Sequence, residues 1–120
     1  MPYLNEQKSI TLTSGLLSRK FISGQFIKTA INAALEAVGK QLAKELAPRR
    51  VNIVSPGVTA TEAYSGMNSE QRQAMFTKVS ASLPVGRVGQ PVDIASAYIL
   101  LLENSFMTGS VIDVEGGGLL

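Results

Sequence analysis

The feature that most constrains this chain is a long helical run enclosed between two short β-branched runs. Residues 25–47 place apolar side chains at Ile27, Ile31, Ala34, Leu35, Val38, Leu42 and Leu46, the spacing of one helical face, until Pro48 forbids continuation. Before it, the run Ser9-Ile-Thr-Leu-Thr13 reads as a strand stopped by Ser14-Gly15. After it, Val51-Asn-Ile-Val-Ser55 reads as a second strand, ended by Pro56-Gly57 because proline lacks the donor and glycine permits a sharp turn. Strand, helix and strand in that order form a βαβ unit, in which the two strands are parallel.

The remainder extends the same pattern. A loop rich in Thr and Ala runs to Gly66, and Asn68 or Ser69 can then cap a helix carrying Ala74, Met75, Val79 and Leu83 before Pro84 stops it. Its long polar face predicts a surface position. Gln90-Pro91-Val92-Asp93 places proline where a first helical turn tolerates it, and residues 94–102 are apolar almost all round, which predicts a largely buried helix. Thr108-Gly109 is a turn, residues 110–114 are a third strand, and a Gly-rich tail follows. With crossovers of the usual right hand, the expectation is one α/β domain over residues 1–120, a three-stranded parallel sheet flanked by helices. The outer edge of the first strand is then unpaired, and something else should cover it.

Composition removes several chemistries. The chain has no Cys and no His, so Ser-His-Asp hydrolases, cysteine proteases and typical zinc enzymes are excluded, and no metal site is expected. The net charge is only +2, and its densest basic group, Lys40, Lys44, Arg49 and Arg50, reads as a solvated helix face and its exit; no nucleic-acid partner is expected. No apolar run is long enough to span a membrane, and residues 1–10 lack a basic start leading into an apolar stretch, so the expected compartment is the cytoplasm. Asp93 is best read as a charge favoured near a helix N-terminus, and Met67, Met75 and Met107 as packing. Nothing near Tyr64 in sequence would lower its phenol pKa enough for acid catalysis.

Four segments, in order, resemble the C-terminal half of the short-chain dehydrogenase/reductase family. Ile10-Thr-Leu-Thr-Ser-Gly15 is similar to the strand that delivers the family's active-site serine, here Ser14. Ala33-Ala-Leu-Glu-Ala37 and Leu42-Ala-Lys-Glu-Leu-Ala47 resemble its long helix, which runs into Arg50-Val-Asn-Ile-Val-Ser-Pro-Gly57 with Thr61 beyond. Gly86-Arg-Val-Gly-Gln-Pro-Val-Asp-Ile-Ala95 resembles the start of the last helix, and Thr108-Gly-Ser-Val-Ile-Asp-Val-Glu-Gly-Gly117 the final strand and tail. The resemblance implies a partial Rossmann-like, doubly wound fold and NAD or NADP as cofactor. Pro56, Gly57, Val58 and Thr61 fall in the loop that family members bring to the nicotinamide and phosphates, where glycine allows close backbone approach and a Thr hydroxyl can donate.

The departures from the family matter equally. The Gly-rich turn that holds the pyrophosphate, together with its strand and helix, is expected to be absent, so these residues alone should hold the cofactor weakly or not at all. Family members also carry Tyr-x-x-x-Lys just before the Ala-Ala-Leu segment, the lysine lowering the tyrosine pKa for proton exchange with substrate. Here Lys28 takes the tyrosine position and Asn32 the lysine position, vacating both roles. Ser14 admits two readings, the family's substrate-binding serine or a Ser-Gly turn after a strand.

The expected function is that of a truncated member of this oxidoreductase lineage, with little or no dehydrogenase or reductase activity on its own. Two alternatives stand beside it. One is an interaction module that forms a homo-oligomer, or joins a full-length family member, through helix 25–47 and the exposed first strand. The other is one half of a split NAD(P)-dependent oxidoreductase.

Overall fold

Residues 51–55 are all buried, which makes the strand they belong to the centre of the sheet. In the computed structural model, which describes residues 8–120, the strands are β1 (Ser9–Thr13), β2 (Arg50–Pro56) and β3 (Val111–Val114), in the order β1-β2-β3 and all parallel. The expectation of no leader segment falls partly on residues 1–7, outside the described residues. β1 pairs Thr13 with Val54, and β3 pairs Asp113 with Ser55. The helices are α1 (Phe26–Glu45), α2 (Ser69–Ser82) and α3 (Pro91–Glu103), joined by one-turn helices at Leu16–Ser18 and Glu62–Tyr64. The outer edge of β1 carries no further strand among the described residues. No helix among them is long and apolar enough to cross a membrane.

The two crossovers cover opposite faces of the sheet. A Cβ placed on Gly39 of α1 would lie 2.5 Å from Ile53 Cδ1, so α1 rests directly on Ile53, with Leu12 beside it. Val54, the next residue of β2, points to the other face and forms a core with Ala97 and Leu101 of α3, joined by Ile94, Tyr98, Met107, Ile112 and Val114. Both connections step across the sheet in the same direction, yet their helices lie on opposite sides. They therefore have opposite hands, and the expectation of two right-handed crossovers is corrected. The physical reason is packing: α3 is the short, apolar partner of the Val54 face, which α1 leaves uncovered.

Two further expectations change. Only part of the apolar stripe of α1 is covered: Leu35, Leu42 and Leu46 are half-buried, whereas Ile27 and Ile31 are each 61% exposed and Val38 50%. The face that packs is Asn32, Glu36, Gly39 and Ala43, small or polar residues at helical spacing, since only a flat face lets a helix backbone sit this close to β2. Likewise α3 buries one side only, with Val92, Ile99, Leu100 and Leu102 exposed. α2 has no buried residue and is capped by Asn68, whose Oδ1 accepts from Gln71 N at 2.7 Å, as its polar sequence predicts.

Polar side chains lock the β2–β3 junction. Fully buried Asn52 donates to Met107 O at 2.9 Å and accepts from Ser110 N at 3.1 Å. Arg50 is not part of a solvated basic face. Its guanidinium donates to Leu101 O, Met107 O and Leu102 O at 2.7, 3.0 and 3.1 Å, satisfying carbonyls at and beyond the end of α3. Lys40 donates to Gly109 O at 2.7 Å.

Candidate active site

Parallel strands deliver their carboxyl ends to one edge of the sheet, where open α/β folds bind ligands. Ser14 continues the pairing of β1 by one residue, donating its N–H to Val54 O at 2.9 Å. By strand alternation Ser14 and Ser55 lie on the α1 side, as Leu12 and Ile53 do, and Asp113 sits across from Ser55. One helical turn before Gly39, α1 presents Glu36 to this row. Arg19, from the turn after β1, joins the parts: it lies 3.4 Å from Glu36 Oε1 and makes a two-pronged bond to Asp113, one arm at 3.0 Å.

This layer is incompletely satisfied. Ser14 is 9% exposed and Ser55 wholly buried, and neither hydroxyl has a hydrogen-bond partner; Glu36 Oε2 is also buried without one. A buried polar group left unpaired costs about 1–3 kcal/mol, so three in one layer mark a place that polar groups from outside the chain would stabilise.

Beside the layer lies a cleft of about 490 Å³ between the start of α1, the end of β2 and α2. It brings together Lys28, Asn32, Pro56, Gly57 and Val58 of the sequence-derived candidates. Lys28 is exposed in the first turn of α1, and Asn32 lies one turn deeper, its amide beside Gly15. Ser14 does not line the cleft; its neighbour Gly15 does. Thr61 lies outside it too, in an adjoining groove of about 460 Å³ shared with Gly57, Tyr64 and Tyr98. There its Oγ1 caps a one-turn helix by accepting from Ala63 N at 3.3 Å, which leaves the hydroxyl proton free to donate. Tyr64 lines both cavities and packs edge-on against Phe76, ring centres 5.6 Å apart.

Gly57 has a packing reason of its own. A Cβ there would lie 2.8 Å from Glu115 Cα and 3.1 Å from Leu16 Cδ2, so the absent side chain makes room for the chain leaving β3. Asp93 gains more than a helix dipole. It accepts from Gln90 N at 2.7 Å in a capping box and from both Arg87 nitrogens at 2.8 and 3.1 Å. The Arg87 bond, then the Gln90 N–H, pull its pKa from 3.8 to about 2.

Comparison with known proteins adds to this geometry. A family model described as enoyl-(acyl carrier protein) reductase matches residues 1–118. A short-chain dehydrogenase/reductase of Stachybotrys chlorohalonatus is 40% identical over 114 residues, 95% of this chain and 45% of that protein. The chain belongs to the short-chain dehydrogenase/reductase family. Among solved structures, a small-chain dehydrogenase in complex with NADPH is 58% identical with a TM-score of 0.95, covering 98% of this chain and 54% of that one. Another small-chain dehydrogenase is 52% identical with a TM-score of 0.88, covering 98% and 51%. The chain thus spans about half the length of the family relatives it matches.

A dinucleotide cofactor can be tested against these residues. The backbone at Pro56, Gly57 and Val58 and the free proton of Thr61 are the groups here that could meet such a molecule. Among the described residues, no strand runs into a Gly-x-Gly-x-x-Gly turn that opens a helix; the clustered Gly116, Gly117 and Gly118 instead follow β3. The described residues therefore offer partners to only part of a dinucleotide.

The residues that sequence reasoning missed are Arg19, Glu36 and Ser55 in the layer, and Lys20 and Glu115 on the cleft. One signal for Glu36 was present: an acid in line with Asn32, Gly39 and Ala43 marks a second, non-apolar stripe on α1.

Proposed function

We propose that these residues form the nicotinamide- and substrate-facing side of an NAD(P)-dependent oxidoreductase site, and that the 120-residue chain on its own has little or no turnover. The observation that carries the reading is the convergence of Lys28, Asn32, Pro56, Gly57 and Val58 on one cleft, with the unpartnered hydroxyl of Ser14 in the layer beside it. The cofactor, NAD or NADP, supplies or accepts the hydride when bound. This chain's own part is to present the backbone of residues 56–58, to donate from Thr61, and to offer Ser14 to a substrate oxygen. The phenol-and-lysine proton relay of the family has no counterpart here, because Lys28 and Asn32 stand in its positions. Oxidation of NADH and NADPH by the homogeneous chain, with carbonyl substrates, tests the reading. The expected result is no saturable rate; a saturable rate that Ser14→Ala abolishes would refute it.

A second reading is favoured by the exposed stripe Ile27, Ile31 and Val38 on α1. Here the chain pairs through that face with a second copy of itself or with a full-length family member. Such a stripe is costly to leave in water, at about 25 cal/mol per Å² of apolar surface. Sedimentation across a concentration series tests it: a reversible dimer is expected, and a monomer at every concentration removes the self-pairing form.

A further inference from the structure

The cleft is asymmetric in chemistry. Leu16, Ile22, Met75, Val79 and Leu83 give it apolar walls, while Lys20 and Lys28 are the cationic residues on its lining. α1 starts there with Gln25 at its N-cap, no side chain bonded to its first N–H groups and no acid in its first turn, so the helix dipole adds to the positive potential. Glu115, the acid on the lining, is turned back to its own chain: Oε1 accepts from Gly117 N at 3.2 Å and Oε2 from Leu119 N at 2.7 Å. Both its oxygens are engaged, and neither lysine makes an ion pair with a carboxylate among the described residues.

We propose that this cleft takes a small organic carboxylate with an apolar body, its head group at Lys20 and Lys28 and its body on the wall formed by Met75, Val79 and Leu83. The inference deepens the oxidoreductase reading of the same cleft and rests on that reading for treating the ligand as substrate. A volume of about 490 Å³ is in the range of pockets for small ligands. Two partly solvated ammonium groups favour a carboxylate over a neutral head group modestly, which sets the size of the expected effect.

The test follows backbone amide shifts of the isotope-labelled chain titrated with octanoate, octanol and octylammonium. Octanoate should shift the amides of Leu16, Asn32 and Gly57 and bind about five-fold tighter than octanol, with octylammonium weaker still. Lys20→Gln and Lys28→Gln should each reduce that advantage, and the double variant should bring octanoate and octanol to parity. Equal binding of octanoate and octanol by the unaltered chain, an unchanged advantage in the double variant, or shifts confined to Ile27, Ile31 and Val38 on the outer face of α1 would each overturn the proposal. A parallel NADPH titration separates the two readings. Octanoate selectivity with no NADPH shift at Gly57 or Val58 supports the ligand class and removes the oxidoreductase reading. NADPH shifts there without octanoate selectivity remove the ligand class and leave that reading standing.

Discussion

Ser14 is where chemistry and stability make opposite demands. A hydroxyl that is buried and unpaired contributes no stability to the fold, so its removal should be nearly free. Ser14→Ala is expected to leave unfolding free energy unchanged or to raise it by up to about 1 kcal/mol, measured by urea denaturation. A loss beyond that would mean that Ser14 is a structural turn residue, the plainer of its two sequence readings. Asp93 behaves in the opposite way, because its carboxylate is held by Arg87 and Gln90. Its pKa is depressed to about 2, so its contribution is fully present above the ordinary value of 3.8 and is lost as pH falls through about 2. Asp93→Asn should therefore lower the melting temperature at neutral pH, with the difference from the parent closing across that acid window. A difference that stays constant from neutral pH down to pH about 2 would show that the ion pair and capping box do not act through the carboxylate charge.

At the scale of elements, the fold rests on two close approaches of backbone that glycine permits. Gly39 lets α1 lie on Ile53, and Gly57 lets the end of β2 pass Glu115. Gly39→Val should cost about 1–3 kcal/mol through overpacking of the fully buried Ile53, and Gly57→Ala a similar amount because it meets backbone. Denaturant midpoints check both; a Gly57→Ala chain as stable as the parent would mean that β3 shifts freely. All three strands, the three helices and their parallel pairing were legible in the sequence, because periodicity, proline stops and Gly turns agree at each boundary. The facing of α1 was not. Apolar periodicity finds a stripe but not its partner, and here the stripe Ile27, Ile31 and Val38 points away from the sheet while Asn32, Glu36, Gly39 and Ala43 face it. The hand of the second crossover was equally hidden, since it depends on which face of β2 receives α3. Of the candidate site residues, Lys28, Asn32 and residues 56–58 line one cleft, but the layer of Ser14, Ser55, Glu36 and Arg19 exists only once strand register sets β1 beside β2.

The whole molecule is more open than its length requires. The radius of gyration is 15.8 Å, against about 13.6 Å for a compact domain of this length. The accessible surface of 7793 Å² likewise exceeds the ~6,200 Å² typical of a compact monomer of this mass. The excess coincides with apolar residues left in solvent on both layers of helices, Ile31 and Val38 on α1, Val92 and Leu102 on α3. On the self-pairing proposal, Ile31→Glu and Val38→Glu should shift the dimer it expects toward monomer while leaving the fold intact, as read by sedimentation and circular dichroism. A dimer that survives both substitutions would place the contact elsewhere. The central claim, that these residues supply the nicotinamide-facing side of a site they do not complete, is tested most directly by mapping amide shifts as NADPH or NADH is added to the isolated chain. Weak shifts gathered at Gly15, Asn32, Gly57, Val58 and Thr61 are the predicted result; shifts scattered over the outer helix faces, or none at that loop at any concentration, would contradict it.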